Sequence, residues 1–212
     1  MDVRWMESPV LVVDTETTGL DFEKDEIWQL TILRFEAGKS WPDMTGWTSL
    51  FNTHKAFDPG AQALARVKPE DLEGKPFIDE CLDSILGLLD EGGVFLAYNA
   101  VFDARMLRSA LRRAGLDPER LPMRRSNTID PLVFCRGLYP TIRGRTLSQM
   151  AARLGVRLKQ SHDATWDAMA AAEIMVHMAH HHDLPPVLSG LIAIQEHHAH
   201  EWARRTGRPI EW

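Results

Sequence analysis

Short apolar runs alternate with amphipathic stretches along most of the chain. Pro9 to Val13 is a β-branched run ending at Asp14, which predicts a buried strand. Ile27 to Phe35 alternates loosely, and Trp47 to Phe51 is a second short strand candidate. With the turn residues Gly38-Lys39-Ser40 between them, these predict an antiparallel meander. Pro59 to Leu72 reads as short helical turns broken by Pro69. Phe77 to Leu89 carries Ile78, Leu82, Ile85 and Leu89 at helical spacing, closed by Gly92-Gly93.

Val94 to Ala97 predicts a further strand, and Asn99 is placed to cap the helix after it. That helix sets Val101, Ala104, Leu107, Leu111 and Ala114 on one face, with Arg105, Arg108 and Arg112 off it. Asn127 to Ile129 predicts one more strand before a helix over 131–138. Leu147, Met150, Ala151 and Leu154 make a short helix ended by Gly155. A longer helix runs from Thr165 to about His180, with Met169, Ala172, Val176 and Ala179 inward. Pro185-Pro186 breaks the chain before a last helix over 187–204. No internal repeat or low-complexity linker interrupts this order. Strands first, then strand and helix in alternation, predict an α/β fold: a mixed sheet flanked by helices. The expected division is residues 1–182 as one domain and 183–212 as a C-terminal helical extension.

The composition is that of a globular protein, 44% hydrophobic and 25% charged over 212 residues. No apolar run approaches the roughly 20 residues of a membrane span, and the first residues do not read as a signal peptide. Two isolated cysteines, Cys81 and Cys135, form neither a disulfide framework nor a thiolate metal site, so a cytoplasmic location is expected. Net charge is −6, but it is unevenly distributed. Residues 105–159 hold thirteen Arg or Lys against Asp117, Glu119 and Asp130, a local charge of +10 against −16 for the rest. Such asymmetry suits a phosphate-facing surface, although arginines spread around solvated helix faces would give the same count.

Three segments carry the candidate chemistry. In Val12-Val13-Asp14-Thr15-Glu16-Thr17-Thr18-Gly19-Leu20, Asp14 and Glu16 stand two apart on a strand and so point to one side. Two carboxylates so close ionise together cheaply only with a cation between them, and hard oxygen ligands favour Mg²⁺ or Mn²⁺. In Ala97-Tyr98-Asn99-Ala100-Val101-Phe102-Asp103, Asp103 sits in the first turn of a helix, where the dipole alone would also favour it. In Ser161-His162-Asp163-Ala164-Thr165-Trp166-Asp167, residues five apart on one helix diverge by about 140°. His162 and Asp167 therefore converge only if His162 lies on the loop entering the helix. A histidine beside a fixed carboxylate suits a general base for water.

Taken in order, these segments resemble the three exonuclease motifs of the DnaQ-like, or DEDDh, superfamily, which includes the proofreading epsilon subunit of bacterial DNA polymerase III and exonuclease X. The spacing of His162 and Asp167 is that of the histidine class. Ile129-Asp130-Pro131-Leu132 and Thr146-Leu147-Ser148-Gln149-Met150-Ala151 also resemble family segments, and the similarity covers about residues 9–180. The resemblance implies a ribonuclease H-like fold with a five-stranded mixed sheet. It implies a 3′–5′ exonuclease that hydrolyses terminal phosphodiester bonds with two divalent cations, Mg²⁺ or Mn²⁺, and releases nucleoside 5′-monophosphates. Asp14, Glu16, Asp103 and Asp167 would be the metal ligands and His162 the base. The backbone of Thr17, Thr18, Gly19 and Leu20, with Asn99 and the ring of Phe102, would hold the terminal nucleotide.

The expected partner is a nucleic-acid 3′ end, DNA ahead of RNA. An RNA-trimming enzyme and a polymerase-associated docking subunit are the alternatives, and the C-terminal extension is the segment available for a polymerase or for self-association. Two positions depart from the family pattern. Leu64-Ala65-Arg66-Val67-Lys68 stands where relatives commonly carry a His-Gly or His-Arg pair followed by Ile-Thr, and Tyr98 where many carry histidine. The histidines at 177, 180, 181, 182, 197, 198 and 200 lack a cysteine or a placed acid to close a zinc site and read as polar helix faces.

Overall fold

In the computed structural model, residues 3–35, 44–65, 67–90 and 93–210 are described. Five strands form one sheet: β1 (Val10–Thr17), β2 (Ile27–Phe35), β3 (Thr45–Leu50), β4 (Val94–Leu96) and β5 (Thr128–Ile129). Their order is β3-β2-β1-β4-β5, antiparallel across β3, β2 and β1, then parallel from β1 to β4 to β5. The helices are α1 (Pro59–Leu64), α2 (Leu82–Asp90), α3 (Ala100–Arg113), α4 (Pro131–Leu138), α5 (Leu147–Leu154), α6 (Ala164–His181) and α7 (Leu188–Thr206). The expected Gly38-Lys39-Ser40 turn and the substituted Arg66 lie outside the described residues. Among the described residues, no helix is long and apolar enough to cross a membrane.

Both faces of the sheet are covered, so β1 reads as a continuous apolar run rather than an alternation. Val10 and Val12 enter a core with Leu96, Ile129, Phe134 and the inner faces of α6 and α7. Leu11 and Val13 enter a second core with Phe95, Leu86, Leu107 and Leu111, beneath α2 and α3. Because side chains alternate across a strand, Asp14 and Glu16 continue the Val10–Val12 side and emerge toward α6.

One element differs from its expected detail for a clear physical reason. The inward face of α6 is wider than Met169, Ala172, Val176 and Ala179. Ala164, Ala168, Ala171, Ile174, Met175 and Met178 are all buried, whereas Met169 and Val176 are only half-buried. The helix packs on β1 and β2 on one side and on α4 and α5 on the other, which leaves little apolar contrast around its circumference. Helix α7 packs on α4 and β5. It supplies Leu188, Leu191 and Ile192 to the first core, so the segment expected as an extension helps to cover the sheet.

Candidate active site

The site forms where β1 outruns its parallel neighbour. β4 pairs with β1 only as far as Val12 and Leu96. Beyond that point the edge of β1 is open, and α3 fills it with a side chain. Asp103 Oδ1 accepts from the Thr15 main-chain N–H at 3.0 Å and from its hydroxyl at 2.8 Å. A buried carboxylate thus takes the place of a strand partner and is fixed beside Asp14 and Glu16.

The start of α3 is set from further away. Asn99 occupies the N-cap position in the left-handed region, at φ 69°, but its side chain makes no capping bond, contrary to expectation. The cap is Asp130. Its Oδ1 accepts from the N–H groups of Asn99 at 3.0 Å and Leu132 at 2.9 Å, and its Oδ2 from that of Ala100 at 3.1 Å. One carboxylate therefore caps both α3 and α4. Burial pushes Asp130 up to about 6, with the three amides pulling the other way.

His162 lies on the loop before α6, at φ 60°, a conformation uncommon for a non-glycine residue. Its N–H donates to Asp167 Oδ2 at 3.1 Å, closing a tight turn across the helix start. Asp163 caps α6 by accepting from Thr165 N–H, and the buried Gln29 of β2 accepts from Ala164 N–H at 3.3 Å. Donor atoms of Glu16, His162 and Asp167 all lie within 4.8 Å of one another, the one such cluster of His, Cys and acids among the described residues. The α6 histidines form no comparable group; His177 and His181 stack on each other at 4.5 Å.

The electrostatics fit a cation site. Asp14 is held well above the ordinary carboxylate range by burial first, then by the charges of Asp103, Glu16 and Asp167. Glu16 is pushed up to about 8 by burial and then by Asp167 and Asp103. Asp103 rises to about 7 through burial, opposed by its bonds from Thr15. Crowded acids that resist ionising together are relieved by a divalent cation, and a carboxylate set suits a hard ion.

Beside these groups lies a cleft of about 830 Å³ whose wall includes Glu16, Thr17, Gly19, Leu20, Phe102 and His162. Leu20 and Leu64 are 78% and 54% exposed on its rim, an apolar surface of the kind a base or sugar covers. Of the residues expected to hold a nucleotide, Thr17, Gly19, Leu20 and Phe102 line this cleft. Thr18 is fully buried and turned inward, and Asn99 lines a separate cavity with Asp130 and Trp202. Tyr98 is also directed inward, donating to Arg145 C=O at 2.7 Å.

Sequence reasoning missed the hub beneath the 17–20 loop. Asp25 is fully buried and accepts from the Thr18 hydroxyl at 3.0 Å, the Asp21 N–H at 2.8 Å and the Lys55 ammonium. Burial opposes its ionisation, but these donors outweigh it and hold Asp25 below its ordinary value. Lys55 also pairs with Asp58 at 3.1 Å, which ties the 17–20 loop to the start of α1. The only sequence signal was the five-residue separation of Asp25 from the Thr17–Leu20 segment.

A five-stranded mixed sheet in this order, with acids gathered at the end of its central strand, defines a ribonuclease H-like fold. The chain belongs to the DnaQ-like exonuclease superfamily: the family model RNase_T, described as exonuclease, matches residues 11–175. The 3′–5′ exonuclease DinG of Staphylococcus saprophyticus is 28% identical over 165 residues, which are 78% of this chain and 17% of that protein. A DNA polymerase III of PolC type from Thermotoga maritima is 28% identical over 176 residues, 82% of this chain and 12% of the other. The chain thus spans under a fifth of the length of these curated relatives. Among solved structures, exonuclease X in complex with 5′ overhanging duplex DNA superposes with a TM-score of 0.65 at 19% identity. The match covers 88% of this chain and 99% of that one, a likeness of fold.

Proposed function

We propose that this chain is a 3′–5′ exonuclease that removes nucleoside 5′-monophosphates from DNA ends in a reducing, cytoplasmic setting. The observation that carries the reading is the meeting of Glu16, His162 and Asp167 donor atoms within 4.8 Å, with Asp14 and Asp103 packed beside them. Asp14, Glu16, Asp103 and Asp167 are the residues that would hold two divalent cations, Mg²⁺ or Mn²⁺. When bound, such ions acidify water and offset charge on the departing 3′-oxygen.

The chain's own residues do the rest. His162, held at the cleft edge by its turn, accepts the proton of the attacking water. Phe102 offers a ring face to the terminal base. The backbone of Thr17 to Leu20, braced by Asp25, sets the depth to which the last nucleotide enters. Membership of the exonuclease family and the DNA named with exonuclease X support a nucleic-acid substrate.

Matched end-labelled DNA and RNA oligonucleotides, incubated with Mg²⁺, Mn²⁺ or EDTA, test the proposal. Stepwise 3′ shortening of DNA alone, abolished by EDTA, is expected. Preferential shortening of RNA would replace the DNA reading with an RNA-trimming one. No shortening in any condition would leave a docking subunit of a larger polymerase assembly.

A further inference from the structure

Five of the thirteen basic residues in the 105–159 stretch gather on one surface on folding. Arg105, Arg108 and Arg112 follow one face of α3 at spacings of three and four. The loop after that helix brings Arg124 and Arg125 opposite them. Together they line an open trough of about 840 Å³ in which Glu23 and Glu119 are the opposing acids. Arg125 and Ile210 also border a neighbouring cavity of about 160 Å³. There the Arg136 guanidinium lies 4.2 Å from the Trp202 ring centre and that of Arg208 lies 5.8 Å from it. Basic side chains therefore continue from α3 to the C-terminal segment, with Glu196 paired to Arg125 at 3.1 Å where the two cavities meet.

This surface is separated from the carboxylates by an aromatic pair. Phe102 lines the catalytic cleft; Phe22 packs against it with ring centres 5.5 Å apart, and the Arg105 guanidinium lies 4.3 Å from the Phe22 ring. The order in space is cleft, Phe102, Phe22, Arg105, trough. From Arg105 to Arg112 the helix rises about 10 Å. Phosphates of one strand recur about every 3.4 Å along a duplex axis, so that rise equals about three phosphate steps.

We infer that the trough binds the phosphates of the uncut strand of a duplex, with the Phe22–Phe102 pair dividing the two strands at the last base pair. The inference rests on the exonuclease reading above and deepens it, making duplex 3′ ends the substrate class. It also gives the C-terminal segment a role, since Arg208 and Trp202 extend the track on which the second strand lies.

The test compares wild type with Arg112→Ala/Arg125→Ala. Arg108 and Arg124 are left intact because they hold the carbonyls of Met123 and of Leu121 and Glu119. Substrates are a blunt duplex and the same cut strand alone. The expected result is a rise of about ten-fold or more in the duplex KM, with less than a two-fold change for the single strand. The slope of log affinity against log salt for the duplex falls by about two. Arg112→Lys/Arg125→Lys keeps the charges and is expected to restore most of the loss, which a folding defect would not allow.

Equal losses on both substrates would put the cut strand in the trough and overturn the inference. No loss on either would reduce the trough to a solvated helix face. Duplex affinity measured in EDTA reads the trough without turnover. Failure of the exonuclease reading would appear separately, as wild type that releases no nucleotide with Mg²⁺ or Mn²⁺.

Discussion

The main-chain N–H of His162 donates to Oδ2 of Asp167 at 3.1 Å, so the backbone of the expected base is bonded to one of the expected metal ligands. Two residues five apart would diverge by about 140° on a continuous helix. The left-handed turn at His162 and the helix start at Ala164 remove that divergence. Asp167 consequently has two duties, and they separate by substitution. Asp167→Asn keeps an acceptor for the turn but loses a charge from the ligand set. It is expected to fold with a melting temperature no lower than wild type, because a buried acid among acids is removed, while kcat falls by several orders of magnitude. Turnover and melting curves measured on one preparation check both halves; near-native turnover would remove Asp167 from the site.

Acid crowding makes metal-free stability depend on pH. Glu16 is raised from 4.5 to about 8, and Asp103 from 3.8 to about 7. A carboxyl with a folded value above its unfolded one binds its proton more tightly in the native state. Folding is therefore disfavoured progressively as pH rises from about 4 toward 8. In EDTA the melting temperature is expected to be higher at pH 6 than at pH 8. Saturating Mn²⁺ or Mg²⁺ binds the native state and competes with those protons, so the increment it adds should be larger at pH 8. Melting curves at the two pH values, with and without metal, read the sign directly. A larger metal increment at pH 6 would contradict it.

The parts of the site that were legible in the sequence are those carried by local spacing. Asp14 and Glu16 share a strand face, Asp103 lies in the first turn of α3, and His162 and Asp167 bracket the start of α6. The parts that were not legible act across the chain. Asp130 caps a helix that starts thirty residues earlier, Gln29 bonds to Ala164, and Asp25 takes Lys55 from a distant loop. No period or motif reports such bonds, because each is decided by which elements the sheet brings together. The phase of α6 was obscure for a related reason: a helix enclosed on most sides has little amphipathic contrast to read.

Gly19 sits where backbone passes close to two acids. A Cβ there would collide with the carboxylates of Asp25 and Asp58, the two partners of Lys55. Gly19→Ala is thus expected to push the 17–20 loop out of place without touching the carboxylate cluster. The outcome is a KM raised several-fold with a smaller change in kcat, a split that a lost metal ligand would not give. Steady-state kinetics on a single-stranded oligonucleotide distinguish the two.

Asp130→Ala removes the acceptor for the amides of Asn99, Ala100 and Leu132 at once. The Ala100 amide is buried and those of Asn99 and Leu132 are part-buried; a buried donor left unsatisfied costs about 1–3 kcal/mol, and a loss of that size is expected in urea unfolding. Asp130→Asn retains one acceptor oxygen and should lie between. Activity is expected to fall with stability, because loosening the first turn of α3 moves Asp103. An alanine variant as stable as wild type would show that the double cap is dispensable.

The C-terminal helix can be tested as part of the fold through Gln195. This residue is 3% exposed and treats the edge of β5 as a neighbouring strand would: its Oε1 accepts from Asp130 N–H at 2.7 Å and its Nε2 donates to Thr128 C=O at 3.0 Å. Gln195→Leu is close in size but leaves the Thr128 C=O and the Asp130 N–H buried without that partner, at a cost of about 2–5 kcal/mol. Since Asp130 is one of the two residues affected, the loss should reach the end of α3 that carries Asp103, and turnover is expected to drop along with stability. Truncation before Val187 should be more severe, because it also uncovers the core surface now under Leu188, Leu191 and Ile192. If the truncated chain unfolded cooperatively with native stability, α7 would be an accessory and not a component of the catalytic unit.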